Sequence, residues 1–358
     1  METYTIQEWL FREAAGRYDV DLAESGVLRQ TVGDVEIDPA WDLDYTLDHG
    51  SDELRDALHT AYDPSVDDDV LVSTGGQEAL YLLYRSALSV GDHVVTQSPG
   101  WQQAWAVPRE IGCDVTAVRV TPRECPGTAM ASAVNARTRM VVLTSPHNPL
   151  GTRISAQGSA ELHRRCQEVG ALLVVDEEYM HDYRSSLVHL GPGVLVVSSL
   201  SKMHGMPGLR TGWAIGPRDV IAGMRNYKRF TTVCNSVLCE RIAARAVLET
   251  PRHLARFDSL HGPGLELLED WVATRAEQLT LVEPQGTPFA WIELASGDAD
   301  VIAKTALVDH RVLVMPESVF APPDAGPSRA LRVTFARPLP VLRAGLGALT
   351  SVLDDVRG

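Results

Sequence analysis

The sequence predicts an α/β protein with a mainly parallel central sheet and a smaller α+β domain, and two observations carry that reading. From about Ser51 to Ser236, short apolar runs alternate with stretches of helical period. This is the pattern of a sheet covered by helices on both faces. Beyond Ser236 two long helical patterns come first and strand-like runs return after them, which suggests a second, smaller unit.

In chain order, residues 52–62 and 77–88 read as helices, 93–97 as a strand and 101–111 as a helix. A short apolar run before Ser73 is a further strand. Residues 114–120 and 140–144 read as strands, 156–170 as a helix, and 171–176, 194–197 and 213–216 as strands. In the second unit, helices are expected over 237–248 and 251–275, strands over 281–283, 289–294, 311–315 and 331–335, and a closing helix over 341–356. The large domain is placed at 46–245, and residues 1–45 with 246–358 form the small one. Internal repeats, low-complexity tracts and long linkers are missing from the sequence.

Composition narrows the function. The chain has 358 residues, enough for a sizeable core. Against 47 Asp and Glu stand only 32 Lys and Arg, a net charge of -15. Nucleic-acid binding needs clustered cations to neutralise phosphates, so no nucleic-acid partner is expected. No apolar stretch is long enough to span a bilayer, and the first residues lack the basic and apolar regions of a signal peptide. The reading is a soluble cytoplasmic protein without a membrane partner. Cys113, Cys125, Cys166, Cys234 and Cys239 form no Cys-x-x-Cys pair and no zinc-like spacing with histidine, so reduced thiols and no metal are expected.

The run Ser198-Ser199-Leu200-Ser201-Lys202-Met203-His204-Gly205-Met206-Pro207-Gly208-Leu209-Arg210 carries the chemistry. A lysine that forms a Schiff base must be held where its amine loses a proton, as burial beside other cations achieves. The hydroxyls of Ser199 and Ser201 and the planar guanidinium of Arg210 suit a phosphate dianion. Together they read as a pyridoxal 5′-phosphate (PLP) site rather than a bare nucleophile. A lysine on a polar turn is ordinarily just solvated; the flanking strands and the motifs below decide for the site.

Ser73-Thr74-Gly75-Gly76-Gln77 sets two glycines between a strand and a helix, where bare backbone and free N–H groups meet an anion. Asp176 ends an apolar strand, where ligands of open α/β sheets bind, and its carboxylate would keep a pyridine nitrogen protonated. Tyr179 could donate to the ring's phenolic oxygen, whereas Glu177 and Glu178 fit capping or surface carboxylates better. Asn148, in a proline-flanked turn, could bond the same oxygen, and Trp101 could stack on the ring or serve as core.

Taken in order, these runs resemble the class I/II aminotransferase superfamily of fold type I PLP enzymes. The likeness extends from Tyr45, Gly50 and Leu54-Arg55 to Leu331-Arg332-Val333. It implies that Lys202, Asp176, Tyr179, Asn148 and Trp101 hold the ring, and that Gly75, Gly76, Gln77, Ser199, Ser201 and Arg210 hold the phosphate. Tyr45 would reach the phosphate of a neighbouring subunit, giving a homodimer with shared active sites. Arg332 would clamp the α-carboxylate of a small amino-acid substrate, with Asn148 and Trp101 beside it.

The opening Glu8-Trp9-Leu10 and Asp19 to Val27, with Phe230-Thr231-Thr232 and Asp270-Trp271, is similar to the capreomycidine synthase group. Those relatives carry out elimination and ring closure on a hydroxylated arginine in antibiotic pathways. The likeness puts Glu24, Ser25 and Gly26 in a segment that folds over substrate. Leu150, where the superfamily usually has Thr, and Glu317, where a Gly often stands, are departures that bear on the substrate pocket.

Lys202 released by the substrate amine would act as the general base on the α-proton. Elimination with replacement or cyclisation is favoured, and transamination is the alternative, since both use the same Lys, Asp and Arg. For an arginine-type side chain, Glu24, Asp44 and Glu317 are the acidic candidates. A PLP-sensing or catalytically idle protein would need an output module or have lost its lysine, and neither holds here.

Overall fold

The computed structural model describes residues 2–323 and 325–355. A seven-stranded sheet forms its larger part, from β2 (Asp68–Ser73), β3 (His93–Ser98), β4 (Asp114–Arg119), β5 (Thr138–Thr144), β6 (Leu172–Asp176), β7 (Val194–Ser199) and β8 (Gly212–Pro217), preceded in the chain by β1 (Val20–Asp21). The order is β2-β8-β7-β6-β5-β3-β4, with only β8 antiparallel to its neighbours. The expected α/β class with a mainly parallel sheet is what the chain adopts.

The alternation of strand side chains explains why the central runs are apolar throughout. Val141, Leu143, Leu173, Val175, Val194 and Val196 join the core on one face of the sheet. Met140, Val142, Val174, Leu195 and Val197 join the core on the other. Helix ends follow local chemistry: Ser51 and Ser155 cap helices Asp52–Tyr62 and Ala156–Val169 with their hydroxyls. Gly112 and Gly170 end helices in the left-handed region that a side chain would strain.

The second unit holds a four-stranded antiparallel sheet of β9 (Leu279–Val282), β10 (Phe289–Leu294), β12 (Met315–Pro316) and β13 (Ala330–Thr334), in the order β12-β13-β10-β9. The single strand expected over 311–315 is divided. Its first part, β11 (Val312–Leu313), pairs with β1 and its second, β12, with β13. The carbonyl of Val314, at the break, accepts from the indole Nε1 of Trp9 at 3.0 Å, so leaving one sheet for another strands no polar group. The closing helix runs Leu339–Asp355, and the Val356 end expected for it lies outside the described residues.

Among the described residues, three helices of eight or more residues went unpredicted: Pro126–Ala133, Arg218–Lys228 and Ala299–His310. The last residue of the second, Lys228, is fully buried and donates from Nζ to the carbonyl of Val72 at 2.8 Å and to Asn235 Oδ1 at 2.6 Å. Asn235 in turn donates to Thr74 Oγ1 at 3.1 Å, beside Gly75. No described helix is long and apolar enough to cross a membrane.

Candidate active site

The carboxyl ends of β2, β3, β5, β6 and β7 converge on a cavity of about 870 Å³, closed on its other sides by the N-terminal segment and β13. Convergence there follows from topology, because parallel strands all deliver their following loops to one edge. Lys202, Asp176, Tyr179, Asn148, Trp101, Gly76, Gln77, Ser201, Arg210, Glu24, Ser25 and Arg332 all line it. Residues up to 328 positions apart in sequence, Tyr4 and Arg332, thus share one chamber.

At one end is a cup of donors. Helix Gly76–Ala87 presents its first N–H groups, which have no intrahelical carbonyl to bind. Arg210 lies so close to Gly75 that a Cβ there would collide with its Nη2, and a Cβ on Gly76 would collide with Glu178. Arg210 Nη1 reaches Ser201 Oγ at 3.4 Å and the carbonyl of Pro207 at 2.9 Å. Ser199 stands behind the cavity wall and donates to Glu178 Oε2 at 2.7 Å. Glycines that leave backbone bare, hydroxyls and a guanidinium fit the phosphate of PLP.

Lys202 lies at the centre. Its Nζ donates to Ser25 Oγ at 2.8 Å and sits 3.6 Å from Glu24 Oε1. Ser25 also bonds the Tyr179 hydroxyl, so one serine joins lysine and tyrosine. The expectation that cations surround the lysine is corrected here. Burial works to lower the pKa of its ammonium, but the Glu24 carboxylate outweighs burial and the net shift is upward. Glu24 itself is held down to about 2, chiefly by Lys202. This ion pair stabilises the fold above the ordinary carboxylate range and loses its effect as pH falls toward about 2.

Glu24→Gln is therefore expected to leave Lys202 a weaker base with more free amine near neutrality. Trapping of Lys202 by PLP and borohydride, read by mass spectrometry at pH 8, should become several-fold faster in this variant; an unchanged rate would remove Glu24 from control of the lysine.

Asp176, at the end of β6, is buried, and its Oδ1 accepts from the Glu178 backbone N–H at 3.2 Å. Burial, and after it the Glu178 carboxylate, pushes its pKa up to about 8. A pyridinium nitrogen is the partner that would return its charge, which fits the ring end of PLP. Trp101 donates from Nε1 to Gln77 Oε1 at 2.8 Å, and the Tyr4 ring meets it edge-on at 5.8 Å.

Arg332 on β13 is buried between Phe289 and Phe320, with ring centroids 4.8 and 4.9 Å from its guanidinium carbon. Its Nη1 donates to Asn148 Oδ1 at 2.6 Å and its Nη2 to the carbonyl of Ala23, while Nε has no partner among the described residues. Burial draws its pKa down to about 10. Thr334 and Arg337 bond the Glu24 carbonyl, and Arg337 also bonds that of Gly26. Gly26 lies outside the cavity lining but against the Ser201 carbonyl, so the 23–26 loop rests directly on the lysine loop.

Other sequence expectations separate here. Tyr45 is 86% exposed and lines a different hollow, with Asp44, Thr232, Cys234 and Asn235. Asp44 is thus remote from the cavity, and Glu317 instead accepts from the Arg329 backbone at 2.8 Å; of the three acidic candidates only Glu24 lines the chamber. The assignment of Glu177 and Glu178 to capping or surface positions fails. Glu177 is fully buried, accepting from Ser186 Oγ and Leu187 N–H at 2.8 and 2.7 Å, and Glu178 faces the cavity. Run together, three acids look like a solvated turn, and only the packing of β6 shows otherwise. Tyr4, Tyr18 and Arg29 also line the cavity and carried no sequence motif.

Residues 42–346 match the model of the family Aminotransferase class I and II. Capreomycidine synthase of Streptomyces vinaceus is 29% identical, over 97% of this chain and 93% of that protein. The 3-methylarginine biosynthesis aminotransferase ArgM of Streptomyces arginensis is 26% identical, over 89% of this chain and 87% of that one. Among solved structures, the PLP-dependent cyclase OrfR superposes with a TM-score of 0.88 at 28% identity, covering 99% of this chain and 98% of the other.

Proposed function

The chain belongs to the class I and II aminotransferase family and is a PLP-dependent enzyme, and from that premise we propose that it catalyses elimination with replacement or cyclisation on an amino acid. One observation carries this choice. Sequence similarity to the synthase spans 97% of this chain, past the family match into the N-terminal segment, against 89% for ArgM, and Tyr4, Tyr18, Glu24 and Ser25 of that segment line the cavity. An antibiotic-type biosynthetic role is proposed on the same similarity.

PLP, when bound, supplies an electron sink for the charge left at the substrate α-carbon. The residues divide the remaining work. Gly75, Gly76, Gln77, Ser199, Ser201 and Arg210 would bind the phosphate, and Asp176 would hold a proton at the ring nitrogen. Tyr179 and Asn148 would bond the ring's phenolic oxygen, and Trp101 would lie against the ring. Arg332, fixed by Asn148, orients the substrate through its carboxylate. That places the α-proton at Lys202 Nζ, which removes it as general base.

The segment from Tyr4 to Ser25 covers one side of the cavity, which suits a reaction needing no second amino acceptor. Loss of a β- or γ-leaving group then lets a nucleophile of the substrate itself add and close a ring. Exposed Tyr45, with Leu43 exposed in the same hollow and Phe230 exposed two residues before Thr232 of that hollow, is assigned to a homodimer in which it reaches the partner's phosphate cup.

Single-turnover absorbance and mass spectrometry of the PLP-loaded enzyme test this reading, with hydroxyarginines, S-adenosylmethionine and unsubstituted amino acids and no keto acid. The expected result is a ring or elimination product with the cofactor returned as PLP. Stoichiometric pyridoxamine phosphate and a keto acid would instead make it an aminotransferase, as ArgM is named.

A further inference from the structure

Glu178 is a carboxylate that the chemistry above leaves unused. Its Oε2 accepts from Ser199 Oγ at 2.7 Å, and its Oε1 lies against Gly76 at the start of helix Gly76–Ala87. These are donors of the phosphate cup. An anion of the protein's own therefore competes with the cofactor phosphate for the same groups.

The side chain has little freedom to leave. Its backbone N–H is bonded to Asp176 Oδ1 at 3.2 Å, and the next residue, Tyr179, is packed edge-on against Phe289 at 5.2 Å. An ionised carboxylate held beside a phosphate dianion in a half-buried site repels it, and the repulsion is relieved when the carboxylate takes a proton. A protonated carboxyl keeps one oxygen for Ser199 and gains an O–H to donate to the phosphate.

We propose that Glu178 takes up one proton from solvent when the cofactor phosphate binds and then holds that phosphate through its O–H, as a positioning residue. The inference rests on the reading of the cup as the phosphate site. The charged and titratable groups facing Glu178 are Asp176 on its own loop, Tyr183 on the following turn, Lys202 on the lysine loop and Arg210 beyond it. Burial raises the Glu178 pKa, and Ser199, Lys202 and Arg210 act against it without cancelling the rise.

The probe is pyridoxamine 5′-phosphate, which forms no bond to Lys202. Its affinity for the cofactor-free full chain is followed by tryptophan fluorescence from pH 7 to 9, for wild type and Glu178→Gln. Uptake of one proton makes the wild-type Kd rise by up to about tenfold per pH unit above the Glu178 titration point, relative to the variant. Glu178→Gln is expected to bind at least about tenfold more tightly at pH 9. The Glu178 carboxylate also raises the Asp176 pKa, so the same comparison is repeated with Asp176→Asn in both proteins, where only Glu178 distinguishes them.

Parallel profiles would overturn the inference and leave the cofactor site standing, whereas no binding by either protein would overturn the cup itself. Should the variant not fold, calorimetry of wild type with inorganic phosphate, which has no ring nitrogen to exchange a proton with Asp176, at pH 8.5 in two buffers of different ionisation enthalpy decides. About one proton taken up per ligand supports the proposal, and none overturns it.

Discussion

Lys202→Ala is expected to lose turnover by about 10⁴-fold or more, since it deletes both the covalent attachment point and the general base. Nothing nearby replaces it. Ser25 Oγ, 2.8 Å from Nζ, is a neutral hydroxyl engaged with Tyr179, and Glu24 is a carboxylate, a far weaker base than an amine and unable to form a Schiff base. The variant should still bind PLP through the phosphate cup, but borohydride should trap no adduct at this position. Residual turnover within tenfold of wild type, or an unaltered visible band from a lysine-linked cofactor, would refute the assignment of Lys202.

Arg332→Ala is expected to raise KM for the amino-acid substrate by about 10²–10³-fold, the loss typical when one partner of a buried charge-assisted contact is deleted. PLP affinity should change little, because Arg332 bonds Asn148 and the Ala23 carbonyl and none of the cup residues. Arg332 also bonds the Ala23 carbonyl, so a stability loss is expected beside the kinetic one. Arg332→Lys separates the two. It keeps a charge but not the planar fork, and should recover stability better than KM. Equal loss of substrate and cofactor binding in both variants would mean that the carboxylate clamp lies elsewhere.

Much of the large domain was legible because local rules and tertiary demands agree there. The helix expected at 52–62 forms over Asp52–Tyr62, and β3, β4 and β6 fall within a residue or so of their predicted ends. In these segments one apolar period decides the element. Disagreement begins where burial depends on a partner distant in sequence. The run at 311–315 has the pattern of one strand, yet it serves two sheets because Trp9 satisfies the carbonyl at its break. Glu177 and Glu178 read as solvated and are not, since their environment comes from β7, the Ser186 turn and Gly76.

By itself the sequence determined the fold class and singled out the lysine with the glycines, serines and arginine proposed to bind phosphate, since strand ends, glycine turns and the serine-lysine-arginine spacing are short-range patterns with a chemistry of their own. The tertiary structure alone decided which charges meet. It paired Lys202 with Glu24, tied Arg332 to Asn148, turned Glu178 into the phosphate cup and left Tyr45 in solvent. Electrostatic energy depends on distances across the cavity and on burial. Both arise from the packing of elements far apart in the chain, and no local pattern encodes them.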